Sequence, residues 1–245
     1  MTLRTNFLDT HFDVWSREEV QRWLTSRDTD SRFAYVVTPN VDHMVRLAKS
    51  DKEVRLAYAE ADLSICDSRI LLGLGRTLGV HLSAVPGSDI VADLFELLLH
   101  DGDRVCLIGG SDDHAVALQQ RFPRLVVLQH VPPMGLRHDR TARLAAIEFA
   151  AQAAARVTLL AVGSPQQELI AREMAADGRV RGTALCVGAA VGFLIGAQTR
   201  APRFLQRVGL EWSWRLISQP RRMARRYLID GPMIVPIALR WWWSK

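Results

Sequence analysis

From residue 33 to about residue 195, short apolar runs rich in β-branched and aromatic residues alternate with segments of helical periodicity. The runs Phe33–Val37, Leu63–Cys66, Arg104–Ile108, Leu125–Gln129, Val157–Val162 and Ala184–Val187 read as strands. Between them, Val41–Ala59, Ile90–Leu99, Ala115–Phe122, Arg140–Ala155 and Gln166–Ala176 carry the spacing of helices with one buried stripe. Ser16 followed by Glu19 has the pattern of a capping box and opens a further helix. This alternation predicts an α/β fold, a Rossmann-like and mostly parallel sheet of about six strands with helices on both faces. After Gly196 the strand pattern stops. Leu205, Val208, Trp212 and Leu216 then recur at helical spacing, and Ser218 before Pro220 reads as the cap of a second helix. The expected organisation is a core over residues 1–195 and a basic, Trp-rich helical appendage over 196–245.

The polar and glycine-rich clusters fall where the predicted strands end. Thr38-Pro39-Asn40 follows the first strand, Asp67-Ser68-Arg69 the second and Gly109-Gly110-Ser111 the third. Val131–Gly135 comes after the fourth, Gly163–Glu168 after the fifth and Gly188-Ala189-Ala190 after the sixth. Ligands of open α/β sheets bind outside the carboxyl ends of the strands, so the site is expected at that edge.

Charge changes the picture of the C-terminal segment. The chain carries a formal +5. Residues 196–245 hold ten Lys/Arg against Glu211 and Asp230, a balance of +8 that leaves about −3 on the remainder. Tryptophans and arginines interleave there with almost no acid, so the segment is expected to meet an anionic partner. Arg222, Arg225 and Arg226 share one helical face at i, i+3 and i+4, and Arg215 lies seven residues before Arg222. The run Pro232–Leu239 is too short to span a bilayer, but Trp241, Trp242 and Trp243 after Arg240 suit a headgroup region. A tail packed on the protein or on another copy is the alternative. Three widely spaced cysteines, Cys66, Cys106 and Cys186, read as buried reduced thiols of a cytosolic protein, and none has metal-ligand spacing.

The motifs TPNVDH (38–43), CDS (66–68), PGSD (86–89), LIGG (107–110), GSPQQE (163–168) and RAP…GLEW…RL…QPRR (200–222) occur in one order over nearly the whole chain. In this the chain resembles the WecG/TagA/CpsF family of bacterial glycosyltransferases. The resemblance implies an inverting, metal-independent transferase without a cofactor. It would move a sugar, often N-acetylmannosamine, from a UDP-sugar to an undecaprenyl-diphosphate-linked saccharide in surface polysaccharide synthesis. It also implies a peripheral enzyme on the cytoplasmic face of the bacterial membrane, with anionic lipid as a partner. Asp67 matches the family's proposed catalytic aspartate, with Thr38 and Asn40 on the neighbouring loop. Gln167 matches a donor-contacting glutamine, and Arg215, Arg222 and Arg225 match appendage arginines suited to diphosphate oxygens. Gly109, Gly110, Gly163 and Gly188 would let backbone N–H groups approach the nucleotide.

The chain departs from the family pattern at Ser68, Ala84 and Val191-Gly192, which leaves the donor sugar open between N-acetylmannosamine, glucose and a uronic acid. Two Asp-x-Asp pairs, Asp28/Asp30 and Asp101/Asp103, precede strands, at the edge away from the expected site, and read as solvated turns. Gly73–Gly79 superficially suggests a dinucleotide fingerprint and hence an oxidoreductase, but its spacing and distance from a strand are wrong. A non-catalytic module binding nucleic acid or membrane through the basic tail is a further alternative. It would not need Thr38, Asp67 and Gln167 at strand ends, and nucleic acid is not expected as a partner. An exposed Trp-rich tail would also suit homo-oligomerisation.

Overall fold

The computed structural model of the chain describes residues 3–202, 204–205 and 209–244; Val208 and the side chain of Arg222 lie outside the described residues. An antiparallel hairpin, β1 (Arg4–Phe7) and β2 (Thr10–Asp13), precedes α1 (Arg17–Thr25). Six parallel strands follow: β3 (Ala34–Val37), β4 (Leu63–Ser64), β5 (Arg104–Gly109), β6 (Val126–His130), β7 (Val157–Ala161) and β8 (Thr183–Cys186). They lie in the order β4-β3-β8-β7-β5-β6. The connections contain α2 (Val41–Leu47), α3 (Lys52–Ala59), α4 (Arg69–Thr77), α5 (Gly87–Asp93), α6 (His114–Arg121), α7 (Arg140–Ala153) and α8 (Gln166–Asp177). After β8 come α9 (Ala190–Leu194), α10 (Glu211–Ser218), α11 (Pro220–Ala224) and α12 (Ile234–Trp243).

The expected doubly covered parallel sheet is present. Along each central strand, successive residues enter opposite cores, as the two-residue strand period requires. Tyr35 and Val37, Cys106 and Ile108, and Ala184 and Cys186 face one layer, with Phe7, Met44, Ile147 and Ile170. Val36, Val105, Leu107 and Leu185 face the other, with Val20, Ile90, Phe95 and Leu118. Cys66, Cys106 and Cys186 are buried and unpaired. The capping box forms as expected: Ser16 Oγ accepts from the Glu19 N–H and the Glu19 carboxylate accepts from the Ser16 N–H.

Several elements differ from their sequence reading. The long helix expected over 41–59 is two helices, because Asp51 caps a new start by accepting from the Val54 N–H at 3.1 Å. Gly73 and Gly75 lie inside α4, where a Cβ at Gly75 would meet Leu82 Cδ1 at 3.0 Å and the Val80 carbonyl at 3.1 Å. That glycine serves helix packing, and the dinucleotide reading of Gly73–Gly79 falls. Ser218 ends α10 instead of capping the next helix, its hydroxyl donating to the Trp214 carbonyl at 2.8 Å, and Gln219 holds the cap position. The single stripe expected from Leu205 to Leu216 is interrupted at Gly209, whose φ of +76° breaks helical geometry before α10 begins.

The C-terminal segment returns to the core. Ile234, Ala238 and Trp241 on α12 join the same apolar cluster as Phe7 and Met44, and Trp241 meets Phe7 edge-on with ring centroids 5.3 Å apart. Trp241 is therefore core, whereas Trp242 and Trp243 are 50% and 75% exposed. Among the described residues, no helix is long and apolar enough to cross a membrane.

Candidate active site

The loops after β4, β3, β8 and β7, four adjacent strands, open a cleft roofed by the C-terminal segment. It has two lobes of about 300 and 280 Å³ that share Asn40, Asp42, Asp67, Glu211, Arg215 and Arg226. The first lobe runs over Ser68, Ala84, Val85 and Pro86 to the aromatic pair Trp212 and Tyr227, whose ring centroids are 6.1 Å apart. The second runs over Thr38, Arg46, Gly163, Ser164, Gln167 and Gly188.

Asp67 lies on the boundary, where it lines both lobes. Its backbone N–H donates to the Pro39 carbonyl at 2.9 Å, tying the loop after β4 to the loop after β3. Burial raises the Asp67 carboxyl to about 7; Arg215 works against this rise, and Glu211 adds to it. Such a group titrates near neutrality, as a general base is expected to do. The next residue, Ser68, caps α4 by accepting from the Leu71 N–H at 3.2 Å. Ser68 thus supplies a helix start.

Thr38 donates its hydroxyl to the Cys186 carbonyl at 3.0 Å and so links the loops of β3 and β8. Asn40 caps α2, its Oδ1 accepting from the Asp42 and His43 N–H groups at 3.1 and 3.3 Å, which leaves its Nδ2 as the remaining donor at the cleft. Gln167 is 2% exposed and bridges two loops. Its Nε2 donates to Glu168 Oε1 at 2.8 Å and its Oε1 accepts from the Gly188 N–H at 3.1 Å. Gly163 and Gly188 have φ of +81° and +52°, a region that favours glycine, and both line the second lobe.

Arg215 borders both lobes, 3.1 Å from Glu211 one helical turn earlier and with its guanidinium 4.8 Å from the Phe193 ring centroid. The residue beside it in the cleft was not singled out for the site from the sequence. Arg226, not Arg225, lines the two lobes, and it lies 3.4 Å from Asp42. Arg225 is 85% exposed and pairs loosely with Asp230 at 3.9 Å. The helix changes at Arg225 into a wider π-type turn over Arg225–Asp230, which rotates the register and turns the neighbouring arginine inward. Asp42 also accepts Arg46 at 2.7 Å, and Arg46 donates to the Ser164 carbonyl at 2.8 Å. His43 completes this wall as a neutral ring, because burial, with Arg226 and Arg46 nearby, lowers it to about 3. Asp42 and His43 stand within the TPNVDH run, so their place after the first strand was the available signal.

Gly109 and Gly110 lie outside both lobes, at the end of β5, one strand beyond β7. A Cβ at Gly109 would meet Val162 Cγ1 at 2.6 Å, and one at Gly110 would meet His114 Nδ1 at 2.6 Å, so close packing accounts for both glycines. Val191 and Gly192 also miss the lobes, whereas Gly188, Ala189, Ala190 and Phe193 from the same loop and helix reach the second. The Asp-x-Asp pairs sit at the opposite edge of the sheet. Asp28 closes its own turn onto Ser31, and Asp103 holds Arg156 at 2.6 Å.

A carboxyl poised near neutrality between two lobes, with Arg215 and Arg226 lining both, is an arrangement that can serve group transfer between two bound molecules. The family model of the "Glycosyl transferase WecG/TagA/CpsF family" matches residues 5–245. With that match over essentially its whole length, the chain belongs to this glycosyltransferase family and is a transferase of cell-surface polysaccharide synthesis.

Proposed function

We propose that the enzyme transfers a sugar from a UDP-sugar to a lipid-diphosphate-linked saccharide with inversion, without a metal ion. The carrying observation is that Asp67 lines both lobes at once. The second lobe suits the donor. Arg46, Arg215 and Arg226 surround it, and guanidinium forks match diphosphate oxygens. The first lobe, with Trp212 and Tyr227 on its wall, suits the acceptor glycan.

In this reading, Asp67 takes the proton from the acceptor hydroxyl as that oxygen attacks the anomeric carbon. The anomeric C–O bond breaks on the opposite face, and the electron pair leaves with UDP. The arginines stabilise the charge that develops on the diphosphate. Thr38 and Gln167 position the loops, and Asn40 offers an amide to the reacting sugar or acceptor. The basic segment is then both roof of the cleft and foot on an anionic membrane face.

The test is a panel of UDP-sugars presented with a short-chain lipid-diphosphate saccharide, followed by analysis of the product's anomeric configuration. A new glycosidic bond with inverted configuration is expected from one donor. Transfer with retention, or only from a donor that lacks a diphosphate, would overturn the reading.

A further inference from the structure

A second cavity lies away from the cleft, between the β1–β2 turn, the α2–α3 junction and α12. Its volume is about 570 Å³, larger than either lobe of the cleft. Leu8, Leu47, Ile237 and Trp241 give it apolar walls, and Lys49, Arg55 and Arg240 stand round it as cations. Asp9 is the one carboxylate among its lining residues. Among the described residues, none of the three cations has a carboxylate within ion-pair distance, although Arg55 donates to the Ser50 carbonyl at 2.9 Å. Most other arginines of the fold are paired, including Arg137 with Asp51 beside the same junction at 2.8 Å.

We infer that this cavity binds one acidic glycerophospholipid, an acyl chain entering between α2 and α12 and the headgroup phosphate held by Lys49, Arg55 and Arg240. An apolar hollow ringed by unpaired cations matches an anionic amphiphile and neither a free anion nor an uncharged lipid. The volume falls within the range of small-ligand sites, about 300–1,000 Å³. Val235, Leu239 and Trp242, at i, i+4 and i+7 along α12, are 51%, 41% and 50% exposed but lie on the face of that helix turned away from Ile237 and Arg240, so the cavity is a site separate from that stripe. The two sites are mechanically joined. The N-terminal end of α2 carries Asn40, Asp42 and His43 at the cleft, and its C-terminal end carries Leu47 at the cavity. They lie about 10 Å apart along that helix. A lipid seated there would set the height of the cleft above the bilayer. The inference does not depend on which sugar is transferred.

The experiment titrates the full chain with dihexanoyl phosphatidylglycerol below its micelle concentration, with binding read by calorimetry. Glycerophosphoglycerol and dihexanoyl phosphatidylcholine serve as the headgroup-only and zwitterionic probes. Saturable one-to-one binding of the acidic lipid is expected, at least tenfold tighter than either probe. Ala48→Trp, which fills the cavity from its rim, and the double variant Lys49→Glu/Arg240→Glu should each weaken it at least tenfold. If Ala48→Trp does not fold, the charge variant at two exposed positions decides. Equal binding of the headgroup alone would make this a phosphate site, and equal binding of phosphatidylcholine would make it a plain apolar hollow. Binding to anionic vesicles without saturable binding of the monomer would reduce it to a surface foot. Each of these results, or unchanged affinity in the variants, overturns the inference.

Discussion

Arg226 reaches from the C-terminal segment to Asp42 at the start of α2, 3.4 Å away, and Asp42 also holds Arg46 at 2.7 Å. One carboxylate therefore fixes two guanidinium groups at the same wall of the cleft, one from each half of the chain. Asp42 is 8% exposed, so removing either arginine leaves its charge poorly compensated in a low-dielectric place.

This relationship separates two adjacent arginines. Arg226→Ala is expected to lower kcat/KM for the sugar nucleotide about 100-fold, the scale of one lost charge-stabilising donor. Arg225→Ala, at an 85% exposed position, should stay within about twofold, because exposed pairs contribute little. Steady-state kinetics with the donor varied would check both. Equal losses in the two variants would return Arg225 to the diphosphate site.

Asp67 makes two predictions with opposite signs. Its carboxyl is raised to about 7, so the basic form appears only as pH rises, and kcat/KM should climb through about pH 7 and then level off. Asp67→Asn should lower transfer about 100- to 10,000-fold at pH 8 while UDP binding by calorimetry stays nearly unchanged. Stability runs the other way. The folded state holds this proton more tightly than the unfolded chain, whose carboxyl titrates near ~3.9, so the group lowers native stability as pH rises from about 4 to 7. Asp67→Asn removes that ionisation and should stabilise the fold at pH 8 by up to ~4 kcal/mol, read from urea unfolding. A variant that is both active and no more stable would remove Asp67 from this role.

The strand-end rule carried far because it depends only on chain direction. Parallel strands place every following loop at one edge, so Thr38, Asn40, Asp67, Gly163, Gln167 and Gly188 converge as expected. What the pattern could not contain was strand order. Gly109 and Gly110 obey the same rule, yet β5 lies beyond β7 and their loop misses the cleft. The inward turn of Arg226 depends on a local change of helix type, which periodicity at 3.6 residues does not register. The β1–β2 hairpin went unread because each of its strands carries a single apolar residue, Phe7 or Phe12, and these pack into a core built by elements far away in sequence. Trp241 looked like its neighbours in composition, and its edge-on contact with the hairpin's Phe7, far away in sequence, is what sets it in the core.

Gln167 is expected to act through position. Gln167→Ala leaves Glu168 Oε1 without its Gln167 donor and the Gly188 N–H with only the Leu160 carbonyl at 3.3 Å, and Glu168 is a fully buried carboxyl that burial already pushes toward its neutral form. The cost should be about 1–3 kcal/mol for the orphaned carboxyl oxygen, or roughly 2–12 °C in Tm. The donor KM should rise as the Gly163 and Gly188 loops loosen, with kcat less affected. A raised KM with unchanged Tm would instead argue for direct contact with the donor.

In the proposed transfer, the charge that leaves with the diphosphate must be met by something, and three arginines line the second lobe. Many nucleotide-sugar enzymes use a metal on an Asp-x-Asp pair. Here Asp28 is committed to Ser31 and Asp103 to Arg156, both at the far edge of the sheet. Transfer should therefore continue within about twofold in excess chelator, whereas Arg215→Ala should lower kcat about 100-fold in the same buffer. Radiolabelled product formed with and without chelator gives both numbers. A strict requirement for magnesium or manganese would show that the arginines do not suffice and that a cation shares the diphosphate with them.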